Sequence, residues 1–509
     1  MQVRNPIIGG FHPDPSICRV GDTYYLATSS FEFFPGVPVY RSTDLVHWEQ
    51  IGHALHRPEQ LDLSESRHSQ GIWAPSLRYI DGRFVLVTTL VSTRVWPAMF
   101  RNFFVTADDP AGPWSEPTWL DEGGIDPDIV RGPDGRTWYL RGDKGVMCAP
   151  ISWPDGRLGE RRWHWPGTAQ DYTEGPHLYH IAGRYYLWAA EGGTGMGHSM
   201  VCARADDIDG PWEPCPWNPI LSNRGTSRAI QCTGHADLVQ TPAGDWYAVL
   251  LGIRDLDGIG PLGRETHLAP VTWREGWPIV GRDGRVDEHL EVPDLDTAQP
   301  EERLLQDDFE DGPRPLFWNT RGNEPAGAVQ RGSGRLALAA NGVGLDDEQP
   351  MAFLGLRQYD RCASLAVDLH RPAEGVLAGL SVYACPDHHY DLLFDGAGVL
   401  RIRVRLGAMG AEVAQRTLPD GPARIGLQAD RGSYRLGLWE GEELTLLATL
   451  PARHLGSTVA GTFTGVYLAL VAEGAAGTAA AVFEGLRYCG LEMAEDTLPP
   501  APWTQARRP

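Results

Sequence analysis

Lysine is almost missing from this chain. Of its 44 basic residues only Lys144 is a lysine, a compositional bias without a functional reading. Positive charge is scarce as a whole: 44 Lys and Arg stand against 66 Asp and Glu, a formal net charge of −22. That sign argues against nucleic acid and anionic membrane as partners. It is compatible with an uncharged substrate such as a sugar. Cysteine is sparse and scattered, at 18, 148, 202, 215, 232, 362, 385 and 489. With no CxxC pair, a zinc cage or a redox dithiol is not expected. A chain of 509 residues has no need of a disulfide framework. Long apolar runs are lacking too. Met1-Gln2-Val3-Arg4-Asn5-Pro6 has no signal-peptide core. The stretch 465–483 is broken by Glu473 and several glycines, so it is no membrane span. A soluble, reduced, cytoplasmic protein is the expectation, with room for self-association into a homo-oligomer.

Sustained helical periodicity is also wanting, since few segments keep an apolar i, i+3, i+4 pattern beyond two turns. What is present are turns and short alternating runs, with 60 Gly, 40 Pro and 18 Trp. The class predicted is all-β. The length exceeds what one hydrophobic core supports, so two domains are expected.

The first half repeats. Five times a Gly- or Asp-containing turn runs into an aromatic strand, beginning at Tyr24, Phe84, Trp138, Tyr185 and Trp246. Ahead of each stands a side chain fit for function: Asp14, Trp73, Asp126, Glu174 and His235, at offsets of 10, 11, 12, 11 and 11. The segments Ala107-Asp108-Asp109-Pro110-Ala111-Gly112-Pro113-Trp114 and Ala205-Asp206-Asp207-Ile208-Asp209-Gly210-Pro211-Trp212 are near copies. Strand starts lie 60, 54, 47 and 61 residues apart, enough for four-stranded blades. The reading is a five-bladed β-propeller over 1–295, preferred to a generic sandwich with similar turns. Acidic, Pro-containing residues 288–306 read as a linker. Alternating segments such as Arg335–Ala339, Leu380–Tyr383 and Leu400–Val404 predict a β-sandwich over 307–495. The Pro-rich tail 496–509 reads as an extended strap.

Radial repetition stacks equivalent residues about one axis, so Asp14, Asp126 and Glu174 are expected to share a pocket. Cleaving a glycosidic bond takes two carboxyls in opposite protonation states, and a third carboxyl can hold them apart. Each also has a bland reading. Asp14 and Asp126 sit in Asp-Pro turns, and Glu174 could be a solvated loop residue. Shared phase favours the pocket. Trp73 is core packing or a sugar platform. His235 is a satisfied buried histidine, a hydroxyl donor or a metal ligand. Arg264 is a surface partner of Glu265 or a clamp on sugar hydroxyls and a nearby Asp.

Several motifs, taken together, resemble glycoside hydrolase family 43, in its two-domain β-xylosidase and α-L-arabinofuranosidase branch. They are Asn5-Pro6-Ile7 through His12-Pro13-Asp14-Pro15-Ser16, the run from Ser29 to Pro38, Gly71-Ile72-Trp73-Ala74-Pro75-Ser76, Glu174-Gly175-Pro176-His177-Leu178-Tyr179, Glu191-Gly192-Gly193-Thr194 and Gly263-Arg264-Glu265-Thr266. The resemblance is dense to about residue 285 and weaker beyond, as at His388-His389-Tyr390-Asp391-Leu392. It implies a propeller followed by a sandwich, inversion of configuration, and release of terminal xylose or arabinose. It implies Asp14 as general base, Glu174 as general acid and Asp126 as the carboxylate that tunes and orients the acid. Phe31, Trp73 and Arg264 fall at sugar-binding positions, and His235 at the axial histidine, where some relatives hold calcium through water. No other cofactor is implied. Ile125 departs from the aromatic that relatives often carry there. Relatives also cover the site with an aromatic of the second domain, whose counterpart the motifs do not identify. A retaining fructosidase would need Asn-Asp-Pro where this chain has His-Pro-Asp-Pro. A non-catalytic sugar-binding propeller would have no reason to keep three carboxyls in phase.

Overall fold

A computed structural model describes residues 2–94, 99–168, 170–254, 258–292, 302–491 and 499–503. Contacts divide it into two compact units: Met1–Asp255 with Arg264–Gln299, and Leu256–Gly263 with Pro300–Pro509.

The first unit is a five-bladed propeller. Its blades are antiparallel sheets whose first strands are Ser16–Val20, Ser76–Ile80, Ile125–Arg131, Glu174–Ile181 and Ile230–Gln240. Each of these strands packs beside the next, and the fifth packs beside the first, so the ring is continuous. The aromatic strands of the repeat are the second strands: Thr23–Ala27, Arg83–Val91, Thr137–Gly142, Arg184–Glu191 and Trp246–Arg254. An offset of about eleven is therefore one hairpin, measured from the axis end of an inner strand to its return. The two near-copied segments fold alike: Asp109 Oδ1 accepts from Ala111 N and Asp207 Oδ1 from Asp209 N, both at 2.9 Å. The ring is sealed by Gln2–Arg4, which pairs antiparallel with His289–Glu291. Asn5 adds a clasp on blade five, giving Nδ2 to the Leu268 carbonyl and accepting from Leu268 N.

Aromatic and β-branched residues alternate on these strands, and their apolar faces bury between neighbouring blades. Phe84, Leu86 and Phe103 pack with Val39 and Leu77, and Trp188 and Met200 with Ala236 and Leu250.

All five inner strands send polar side chains to one buried cluster. Arg78 Nη1 donates to Asp237 Oδ2 at 2.7 Å and Nη2 to Asp128 Oδ2 at 2.8 Å. Ser16 Oγ and Tyr179 Oη donate to the two oxygens of Asp237, each at 2.7 Å. His177 Nδ1 lies 3.0 Å from Asp128 Oδ2. Burial alone would raise both carboxyls, but the Arg78 guanidinium together with His177 and, for Asp237, the hydrogen bonds from Arg78 and Tyr179 outweighs it and holds both below their usual range.

The second unit is a sandwich of an eight-stranded and a six-stranded sheet. Alternate residues such as Leu365, Val367, Leu380, Val382, Leu468 and Leu470 meet between them. The helical elements here are short, Ala452–Leu455 and Ser457–Ala460. Of the stretch read as a linker, His289–Glu291 is the strand that closes the propeller, and Glu302–Asp307 is a sandwich strand on Ala481–Leu491. Its mostly exposed, charged side chains mask the alternation. Residues 293–301 lie outside the described residues. Of the tail, Pro499–Trp503 runs over the sandwich. The Pro499 and Pro500 carbonyls accept from Gln428 and Ser364, and Trp503 meets Trp439 edge-on. Residues 496–498 and 504–509 lie outside the described residues. Among the described residues no helix is long and apolar enough to cross a membrane.

Removing one partner from a buried ion-pair network leaves the others charged and unpaired. Arg78→Ala should therefore cost the propeller about 3–5 kcal/mol. Arg83→Ala, which breaks an exposed pair with Asp108, should cost under about 1 kcal/mol. Denaturant unfolding of both variants checks the contrast.

Candidate active site

The inner strands are bulged where the expected site residues lie. Asp14, Asp126 and His235 take φ of 54°, 54° and 47°, and Gly175, next to Glu174, takes 54°. The strand register shifts between Ile125 and Asp128, between Glu174 and His177, and between Gly234 and Asp237. A bulge re-aims the side chain it carries, and here the result is convergence. His235 Nδ1 stands 3.9 Å from Asp14 Oδ1 and 4.0 Å from Asp126 Oδ2. Asp126 Oδ2 accepts from Gly175 N at 3.0 Å, which fixes it beside Glu174. A Cβ on Gly175 would sit 3.0–3.1 Å from the His235 ring, so close approach and left-handed backbone both favour glycine there.

Asp14 is held by two donors. Ser29 Oγ bonds Oδ2, and Arg264 Nη1 bonds Oδ1 at 2.8 Å. The same Arg264 nitrogen donates to Thr194 Oγ1 at 3.1 Å. Arg264 is buried and is not the surface partner of Glu265, which instead takes a bidentate pair from Arg254. The Arg264 guanidinium also lies over the Phe31 ring at 5.3 Å. Phe31 continues an aromatic row: its ring is 5.7 Å from Phe11 and 6.0 Å from Trp73, and Trp73 is 6.0 Å from Phe100. Trp73 is only partly buried, and its indole N–H is held by the Ser69 carbonyl at 3.1 Å.

Burial comes first among the causes that raise both remaining carboxyls. Glu174 is pushed up to about 7, with the Asp14 charge adding and Arg264 opposing. Asp126 is pushed well above its ordinary value by burial, then by Glu174 and Asp14. The two cannot both ionise near neutrality, so the pair keeps a proton. Glu174 retains 15% of its side-chain surface and is the more accessible. Burial lowers His235 to about 4, so its imidazole is neutral.

Among the described residues no group of three or more His, Cys, Asp or Glu side chains is placed to hold a metal ion. Calcium takes about six to eight oxygen ligands. At His235, with one imidazole and two carboxylates about its Nδ1, a calcium ion would draw most of those ligands from water.

Two groups of residues escaped the sequence reading. Ser16, Asp128 and Asp237 of the axial cluster follow Asp14, Asp126 and His235 by two positions within the same motifs, and that spacing was the available signal. His198 has no counterpart in the repeat. It precedes the third strand of blade four, Ser199–Ala205, and its Nε2 lies 3.7 Å from Glu174 Oε1.

A five-bladed propeller with an acidic axial site over a buried ion-pair cluster is the architecture of a class of glycosidases. Residues 3–278 match Glycosyl hydrolases family 43, and residues 306–489 match the beta xylosidase C-terminal Concanavalin A-like domain. The chain belongs to glycoside hydrolase family 43 and is a glycosidase. It is 40% identical over 487 residues to a non-reducing end alpha-L-arabinofuranosidase of Bacteroides ovatus, covering 92% of this chain and 91% of that one. It is 33% identical to xylosidase/arabinosidase 43B of Humicola insolens over 540 residues, 97% and 99% of the two chains. The crystal structure of xylan beta-1,4-xylosidase from Bacillus halodurans C-125 superimposes with a TM-score of 0.88 at 33% identity, covering 96% of this chain and 99% of that one.

The Glu174 carboxyl, at about 7 against an ordinary 4.5, costs the folded state nothing below 4.5, a growing amount of stability as pH rises from 4.5 to about 7, and the full amount above that. Glu174→Gln should therefore melt above the wild type at about pH 8 and with it at about pH 4. Equal melting at both would show that Glu174 ionises without penalty.

Proposed function

We propose that this protein is an inverting, exo-acting glycosidase that releases terminal xylose from β-1,4-xylo-oligosaccharides. The observation that carries the reading is the convergence at the propeller axis of Asp14 and Asp126 on His235, with Glu174 next to the Gly175 N–H that binds Asp126. Glu174, protonated and partly accessible, gives its proton to the departing glycosidic oxygen. Asp14, oriented by Ser29 and Arg264, takes a proton from the attacking water as the sugar passes through an oxocarbenium-like state. Asp126 keeps a proton on the pair and is oriented through Gly175 N. Arg264, Phe31 and Trp73 bind the terminal sugar, with His235 beneath it.

A second reading, mainly α-L-arabinofuranosidase, has specific support in the name of the Bacteroides ovatus relative. The same acid, base and modulator serve either sugar, so the difference lies in subsite shape. A panel of aryl β-xyloside, aryl α-L-arabinofuranoside and short xylo-oligosaccharides separates the two by their kcat/KM ratios.

Asp14→Ala and Glu174→Ala should each lose at least about a thousandfold in kcat on xylo-oligosaccharides while staying folded. An aryl glycoside with a good leaving group should restore much of the rate to Glu174→Ala and none to Asp14→Ala. Proton NMR of the first-formed sugar should show the inverted anomer, as expected for carboxyls about 6.5–9.5 Å apart with water between them. The retained anomer would overturn the assignment.

A further inference from the structure

Blade four brings a second imidazole to the acid. His198 is fully buried, and its ring lies against Gly234, where an added Cβ would stand 2.5–2.6 Å from three ring atoms. Glycine at 234 leaves the room the ring needs. The Nδ1 of His198 is 3.2 Å from the Cys232 carbonyl oxygen. A carbonyl only accepts, so Nδ1 carries the ring proton and Nε2 is left with its lone pair. That Nε2 faces Glu174 Oε1 at 3.7 Å, and among the described residues it has no hydrogen-bond partner. An approach of under about 1 Å brings the two atoms to hydrogen-bond distance. A lone pair so placed attracts a carboxyl O–H and repels a carboxylate.

We propose that His198 is a positioning residue for the general acid. The Cys232 carbonyl fixes its tautomer, and Nε2 accepts from Glu174 and so favours the proton-bearing carboxyl between turnovers. The inference rests on the reading of Glu174 as the acid. Asp126, Asp14, His235 and Arg264 are the other titratable and charged groups about the pair. The Asp14 charge disfavours ionisation of Glu174, Arg264 favours it, Asp126 is itself raised by Glu174 and Asp14, and His235 is neutral. His198 differs from these because it acts through the direction of one hydrogen bond. It cannot supply a proton itself, because burial holds its imidazole down at about 3. The proton lost to the leaving oxygen is therefore regained from water.

Two substitutions isolate the hydrogen bond. His198→Gln can turn an amide N–H toward Glu174 and favour the carboxylate. The alkaline limb of kcat/KM for an alkyl xyloside should then move to lower pH by about one unit or more. With an aryl xyloside bearing a good leaving group, the rate should change little. His198→Phe keeps a buried ring and offers no donor, and should move the limb less than His198→Gln does. Equal shifts in both variants, or none in either, would reduce His198 to packing and overturn the proposal. Nitrogen-15 NMR of the wild-type histidines gives a readout that needs no variant. His198 should show a protonated Nδ1 and a bare Nε2 from about pH 5 to pH 8, and an Nε2–H tautomer or an imidazolium would equally sink the idea. Failure of the acid assignment looks different, because Glu174→Ala would then gain nothing from an activated leaving group.

Discussion

Five inner strands can meet at one axis only if the polar side chains they bring there satisfy one another. Arg78 makes this work. One guanidinium from blade two binds a carboxylate from blade three and another from blade five, while Ser16 and Tyr179 donate to the two oxygens of Asp237 and His177 closes on Asp128. A buried ion pair is weak support for stability when isolated. Here it also fixes geometry, because each blade contributes to the same cluster and none can turn without uncoupling it.

The site is the other half of the same arrangement. Asp126 and Asp128 are two residues apart on one strand, as are His235 and Asp237 on another. Their electrostatics are opposite. Arg78 holds Asp128 and Asp237 low, whereas Asp126 and Glu174 are pushed up. Burial raises all four, so the difference lies in where the cations are. Arg78 serves the lower pair directly, and Arg264 is engaged on Asp14. One cation per layer leaves one layer structural and ionised and the other with a proton to give. The bulges add to this contrast. A left-handed φ at Asp14, Asp126 and His235 costs about 1–3 kcal/mol at each residue. The ring of packed blades and the axial ion pairs bear that strain where the side chains must leave the strand's ordinary direction.

Much of this was legible in the sequence. The period of the aromatic hairpins is a backbone repeat, so it located the blades and the phase of Asp14, Asp126, Glu174 and His235. The axial cluster was hidden although Asp128 and Asp237 lie inside the same motifs, because a phase argument anchored on one residue per strand does not ask what its neighbour at i+2 does. The sign of φ at Asp14 was equally out of reach, since Asp-Pro is compatible with an ordinary turn. Arg264 had two readings from sequence, and only the third dimension separates a bond to Asp14 from a pair with Glu265. Residues 302–306 read as linker because a charged, mostly exposed strand shows no hydrophobic alternation.

Two imidazoles belong to the same contrast: His198 lies 3.7 Å from Glu174, and the His235 ring packs on the neighbouring Gly175. A protonated histidine at either position would supply the charge that the lower layer obtains from Arg78, and would draw Glu174 into its ionised form. Burial prevents this at both positions, lowering His235 to about 4 and His198 to about 3. The closely packed glycines, Gly175 against His235 and Gly234 against His198, are part of the same device. By letting backbone lie directly on each ring, they leave little room for the water that would solvate an imidazolium. The surroundings of Glu174 are thus polar enough to orient a carboxyl and uncharged enough to leave its proton in place, which is what the proposed donation to a departing alkoxide near neutral pH requires.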